Sequence, residues 1–411
     1  MARGYRSMEE SRGVSRRQFV RGVGACTAVL GGIAMGTQGA SAEEAAKGTP
    51  TPTPAPKLET NLADFLAVPR GPHGLPGPFP GRVVQVTDPA SLVGDEVKAA
   101  AVKNMVEKGI TRLTGKSMKD AFRMFFTPED VVGIKVNPVG PPLINTRHEL
   151  TGAVIGWLVD SGLPPANIVV WDRFEPMLRD AGYTAERYPS VRVEGLQTMD
   201  YEGNAWRDAE GRHVSIGSFD TDAYLFVKGV EGKGVRGYQS DEFYLNQHVF
   251  NGEYSYFGKL VTRRLTKIIN LAAFKNTGSG ISMATKNLGY GALCNTGRLH
   301  VPLGFMLNTY VLASPWIRNK LVLNITDGIR AQYDGGPDMN AQFVYPGHAL
   351  YFGTDPFAMD AVCQRQIVAK RREMKVAVST SPRYTEYLSV GEKLGLGVGD
   401  LAKIEHVTVK A

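Results

Sequence analysis

The sequence predicts an α/β fold: a mainly parallel central sheet flanked by helices, with an irregular insertion in the middle of the chain. Three observations carry this. Short apolar stretches alternate with helix-period stretches from residue 82 onwards. Residues 131–136 and 321–325 are predominantly apolar rather than alternating, as strands buried on both faces are. No internal repeat is visible. The 411 residues are 43% hydrophobic and 21% charged. That balance excludes a wholly disordered chain, a collagen and a multi-span membrane protein.

Taken in order, residues 82–87 read as a strand. Residues 95–113 read as a helix with Val97, Ala101, Met105 and Ile110 near one stripe. A strand at 131–136 ends in Asn137-Pro138. A helix at 148–160 and a strand at 168–171 follow. Residues 173–265 hold polar loops and hairpin-like pieces, and form the insertion. A strand is expected at 267–271, a helix at 281–290, and strands at 321–325 and 349–352. Residues 356–371 read as a helix, with Asp355 as N-cap and Pro356 at the first position. Residues 403–410 read as a late strand. The organisation expected is a signal over 1–42, a linker over 43–81 and one α/β domain over 82–411.

The N-terminal segment has the order of a twin-arginine export signal. Ser15-Arg16-Arg17-Gln18-Phe19-Val20 is followed by a Gly/Ala-rich apolar stretch and by Ala40-Ser41-Ala42, small residues suited to cleavage. The expectation is passage through the twin-arginine translocase to the periplasm or beyond. An uncut membrane anchor is the alternative, though the apolar run is short and rich in glycine. Nine of the 24 prolines then fall between Pro50 and Pro80, as in a stiff tether.

Charge and cysteine usage narrow the chemistry. The net charge is +7, but residues 1–42 carry six arginines against two glutamates. Their removal leaves about +3, which argues against nucleic acid as a partner. Cys26 leaves with the signal, so the mature chain holds only Cys294 and Cys363. Two thiols cannot ligate a four-cysteine iron–sulfur cluster. Two buried free cysteines are expected; a disulfide is the alternative.

The strongest functional signal is a charge vacancy. Between Tyr254 and Thr326 there is no Asp or Glu, while nine Lys or Arg occur, among them Lys275, Lys286 and Arg298. Such an excess attracts anions; a solvated basic surface is the alternative. Lys275 follows a predicted strand, and ligands of open α/β sheets bind beyond the strands' carboxyl ends. Asn276, Thr277, Gly278 and Ser279 then lead into the expected helix, whose N-terminus adds partial positive charge. The spacing is not that of a Walker loop. Lys286 and Asn287 lie on one face of that helix. Lys135 and Asn137 share a face of their strand. An edge-strand lysine is the alternative for Lys135.

An acidic block follows directly. Asp327 comes just after a predicted strand, and Asp355 and Asp360 flank the start of a helix. Together they offer a divalent metal site through oxygen ligands, a general base or partners for the lysines. Asp355 as a helix cap, and Asp360 as a partner for Arg365, are the alternatives. His300 beside Arg298 is a further ligand candidate. No Ser/His/Asp triad, G-x-S-x-G elbow or dinucleotide fingerprint can be assembled.

Several separated motifs then resemble a known family. They are Val131-Val-Gly-Ile-Lys-Val-Asn137, Lys267-Ile-Ile-Asn-Leu-Ala-Ala-Phe-Lys275, Lys286-Asn-Leu-Gly-Tyr-Gly291, Thr326-Asp-Gly-Ile329 and Thr354-Asp-Pro-Phe-Ala-Met-Asp360. Across residues 82–375 the chain resembles the family catalogued as domain of unknown function 362. The resemblance implies an α/β protein of bacteria or archaea without an established activity. Some relatives carry a ferredoxin-like module with Cys-rich cluster motifs, which this chain lacks. Two functions are therefore expected as alternatives. One is an exported enzyme using Lys275, Lys286 and Asp327 on a small carboxylate or phosphate, with Lys135, Asn137 and Asn287 binding it. The other is a non-catalytic accessory protein beside a periplasmic redox partner.

Overall fold

A computed structural model describes residues 58–197, 219–228, 253–277, 280–296, 299, 306–379, 381 and 384–411. The expected export signal, the start of the linker, Gly278, Ser279, Arg298 and His300 lie outside them.

The core is a nine-stranded, mostly parallel sheet. Its strands are β2 (Arg82–Thr87), β5 (Val132–Lys135), β6 (Ile168–Phe174), β7 (Arg192–Gln197), β10 (Lys267–Thr277), β11 (Gly280–Ile281), β12 (Leu321–Gln332), β13 (Val344–Gly353) and β14 (Glu405–Lys410). The order is β14-β2-β13-β12-β10-β5-β6-β7, with β11 pairing β10. Only β13 runs against both of its neighbours along that path. A sheet covered on both faces needs apolar residues at even and odd positions. Ile269 and Leu271 of β10 pack on one side with Leu323 and Ile325 of β12. Helices α2 (Ala99–Thr114) and α4 (His148–Asp160) cover that side. Ile268 and Phe274 face the other side, under α6 (Ala284–Gly289), α7 (Met306–Ala313) and α9 (Pro356–Glu373).

Two expected boundaries move. Order begins before Arg82. Strand β1 (Glu59–Thr60) pairs with β8 (Phe219–Lys228), and Phe65 of α1 (Leu62–Ala67) packs edge-on against Trp316 at 5.7 Å. Arg318, buried, donates to the carbonyls of Phe65 and Val68 at 3.0 and 2.6 Å. The surrounding prolines hid this short apolar anchor from a reading of composition. The insertion also shrinks: β7 belongs to the main sheet, and β8 with β9 (Tyr254–Gly258) forms a separate small sheet with β1. The helix expected over 281–290 is reduced to the six residues of α6, because Gly280–Ile281 turns back to pair with Asn276 and Thr277. Cys294 and Cys363 are buried and not bonded to each other. Among the described residues no helix is long and apolar enough to cross a membrane.

Candidate functional site

Strands β5, β6 and β10 lie side by side and parallel, so their carboxyl ends open on one edge of the sheet. Lys135 ends β5. It is 1% exposed and sits in the middle of the sheet, so the edge-strand alternative fails. Its Nζ donates to the Val136 carbonyl at 2.7 Å, to Asn287 Oδ1 at 3.3 Å and to the Asp172 carboxylate. An ammonium has three donors, and all three are used. Burial lowers its pKa, and the Asp172 carboxylate acts against that. Its stem passes close to Gly291, where a Cβ would stand 2.3 Å from Lys135 Cε and 2.4 Å from the Asn287 carbonyl oxygen. Gly291→Ala is therefore expected to destabilise the fold by about 1–3 kcal/mol through overpacking. A urea-unfolding midpoint equal to the parent's would contradict this.

Lys275, wholly buried, donates to Asn137 Oδ1 at 2.8 Å and to the Val139 carbonyl at 2.7 Å. Both acceptors are neutral. Burial pulls its pKa down to about 7; the Lys286 and Lys135 charges push the same way, and Asp338 and Asp172 oppose them. Asn137 joins the two lysines. Its Nδ2 donates to Asn287 Oδ1 at 3.0 Å, while its Oδ1 receives Lys275. Asn287 donates onward to Asn270 Oδ1 at 2.8 Å, and Asn270 to Asn324 Oδ1 at 2.9 Å. Amides that bond one to the next in this way hold their side chains in one arrangement.

The structure thus brings Lys135, Asn137, Lys275 and Asn287 together, with Lys286, half-buried, in electrostatic reach of Lys275. Asn276 stands aside: its Oδ1 accepts from the Gly336 amide at 3.0 Å and pins that turn. Thr277 closes the β10–β11 pairing opposite Gly280. The rest of the basic block disperses. Arg263 pairs with Asp220, Arg264 with Glu194, and Lys320 donates to the carbonyls of Val261 and Thr262.

The acidic wall is not where the sequence pointed. Asp327 sides with Leu323 and Ile325, on the sheet face away from α6. There it accepts from the Arg147 and Ile329 amides at 2.7 and 3.1 Å. Beside Arg147 a cleft of about 470 Å³ opens, lined also by Asn145, His148 and Arg187. Asp355 caps α9, accepting from the amides of Phe357 and Ala358, and also from Gly81 and Val398. Asp360 accepts from the amides of Ala284 and Thr285 at 2.9 and 3.2 Å, and Arg365 instead meets His406. The helix N-terminus proposed for an external anion therefore holds the protein's own carboxylate. Among the described residues no three His, Cys, Asp or Glu stand close enough to share a metal ion. Among the described residues, Asp172 pairs with Lys135, and Asp338 acts electrostatically on Lys275. Asp172 directly follows the predicted strand 168–171. The strand-end rule that singled out Asp327 would have found it.

These buried carboxylates set a pH dependence. Burial raises Asp327 to about 6, Asp355 to about 6 and Asp360 to about 7, from an ordinary 3.8. A raised carboxylate binds its proton in the folded state before the unfolded one, so stability rises as pH falls through that interval. His148 opposes this. Burial holds it neutral down to about 4, and the unfolded imidazole takes up protons below 6.5. Burial lowers His73 and His406 in the same sense, and the three buried carboxylates outweigh these three half-buried imidazoles. Unfolding at pH 5 is expected at higher urea than at pH 7; a lower midpoint at pH 5 would show that the donors around the carboxylates hold them charged.

Fold and site together define an α/β protein with a buried lysine–asparagine centre at the carboxyl edge of its parallel strands. Residues 235–365 match the family model described as a domain of unknown function (DUF362), which supports that domain family for this part of the chain. The match spans Lys275, Lys286, Asn287, Asp327 and Asp360, while Lys135, Asn137 and Asp172 lie before it. No curated protein matches the chain.

Proposed function

We propose that the chain is an exported enzyme that binds a small anionic ligand, a carboxylate or a phosphate, at the lysine–asparagine centre. The observation that carries this is the gathering of Lys135, Lys275 and Lys286 from two strand ends and one helix around Asn137 and Asn287. Asp172 balances Lys135, so the positive charge that favours an anion is that of Lys275 and Lys286. Lys286, the least buried, meets the ligand first; Asn137 and Asn287 orient it; Lys275 supplies an amine that titrates near neutrality. The catalytic carboxylate of this reading is Asp172 or Asp338 rather than Asp327. Export rests on the Arg16-Arg17 pair, Phe19 and the small residues at Ala40 and Ala42.

Phosphate or malonate is expected to raise the melting temperature of the parent relative to chloride at equal ionic strength. A ligand at a hundred times its Kd adds about 2.7 kcal/mol. Lys286→Ala and Lys275→Met should fold and lose most of that shift. The reading is wrong if no anion stabilises the parent, or if Lys286→Ala responds as the parent does.

A further inference from the structure

The two buried lysines differ in what surrounds their nitrogens. Lys135 has three acceptors, one of them the Asp172 carboxylate. That set matches the three donors of an ammonium. Among the described residues Lys275 has two acceptors, Asn137 Oδ1 and the Val139 carbonyl oxygen, both uncharged. Two acceptors match the two hydrogens of a neutral amine and leave its lone pair directed to the third position. We propose that Lys275 is a nucleophilic amine that condenses with the carbonyl group of a small 2-oxo acid, while Lys135 stays an ammonium.

This inference rests on the anion-binding reading above and names its substrate class. A 2-oxo acid carries a carboxylate one bond from its carbonyl carbon. An anion drawn in by Lys286 therefore delivers an electrophile to its neighbour Lys275. A lysine depressed by burial and by nearby cations is the form that makes imines at neutral pH. The step balances within these groups. The lone pair of Nζ forms the C–N bond, and the carbonyl π pair moves onto oxygen, which takes one proton from nitrogen. That hydroxyl then leaves as water with the second nitrogen proton, and the C=N bond closes. No oxidant or reductant enters. Asn137 accepts an N–H of the attacking amine, which aims the lone pair at the third position until that proton leaves. Lys275 is itself buried, but Val139, which it bonds, and Lys286 and Asp338, which act on its charge, are half-buried.

The test is reductive trapping. The full chain is incubated with pyruvate and cyanoborohydride, digested, and its lysines are scored by mass spectrometry. Lys275 is expected to carry the pyruvate-derived adduct at least ~10-fold above any other lysine, although exposed lysines are far more accessible. Its labelling should rise through about pH 7, where exposed lysines remain protonated. Lys275→Arg should remove the adduct while the protein still unfolds cooperatively. Labelling that simply follows exposure, or spares Lys275, overturns the imine. Thermal shifts with phosphate and malonate, which have no ketone, separate the two claims. If those anions stabilise the parent but Lys275 is unlabelled, the imine alone falls. If neither occurs, both fall. If acetone labels Lys275 as well as pyruvate does, the amine chemistry stands and the 2-oxo acid assignment falls.

Discussion

Asp172→Ala is expected to cost about 3–5 kcal/mol, the cost of leaving one member of a buried ion pair without its partner. Lys135 is 1% exposed and cannot reach solvent by a change of rotamer. Without Asp172 it keeps only the Val136 carbonyl and Asn287 Oδ1, two neutral acceptors for a full charge. Three further outcomes identify the cause. The loss should persist at high salt, because screening over about 8–10 Å acts on exposed charges and little on buried ones. It should shrink as pH rises. A more depressed folded pKa at Lys135 means the unfolded state binds more protons, so stability grows with pH. The double variant Lys135→Met with Asp172→Leu should recover most of the loss, since an apolar pair can replace a buried ion pair at little cost. The Arg123–Asp120 pair is the control: its side chains are 62% and 53% exposed, so Arg123→Ala should cost only about 0–1 kcal/mol. An Asp172→Ala variant within that smaller range would mean that Lys135 deprotonates in place and that the pair is not what holds β5 to β6.

What could be read in the sequence followed from chain periodicity. Apolar runs at 131–136, 168–171 and 321–325 gave strands of the main sheet, because a strand buried on both faces shows little else. Lys135 and Asn137 were legible together because alternate residues share a face. Lys286 and Asn287 were legible as residues of one helix face, and the fold half-buries the first and buries the second. The faces of the sheet were not legible. Asp327 and Lys275 both follow strands expected from sequence, yet β12 turns Asp327 toward Arg147 while Lys275 reaches Asn137. A one-residue difference in register sends a side chain to the other layer, and no local pattern reports it. Nor could composition show that Arg263, Arg264 and Lys320 of the acid-free stretch part from Lys275 and Lys286 once folded. Arg263 and Arg264 meet carboxylates of β8 and β7, from the region read as an insertion.

Asp360→Ala should produce the second large effect, and it reaches the lysine centre from behind. Asp360 lies in the first turns of α9, fully buried, and accepts four donors. They are the amides of Ala284 and Thr285, the Thr285 hydroxyl at 2.5 Å and the Tyr387 hydroxyl at 3.1 Å. Alanine removes the acceptor that all four share in a buried layer. Each orphaned donor costs about 1–3 kcal/mol, shared rather than summed, so a loss of about 3 kcal/mol or more is expected. Asp360→Asn should also lose stability, because its amide N–H₂ faces donors where the carboxylate offered an oxygen. The same bonds hold the start of α6, the helix that carries Lys286 and Asn287. Releasing it should speed exchange of the Asn287 amide, which donates to the Met283 carbonyl at 2.8 Å, and weaken stabilisation by phosphate. The variant should also reduce the gain in stability between pH 7 and pH 5, since the carboxylate raised furthest is then absent. If Asp360→Ala loses stability but keeps the parent's phosphate response and Asn287 exchange, α6 is held by its packing on α7 and α9. The carboxylate then serves the core alone.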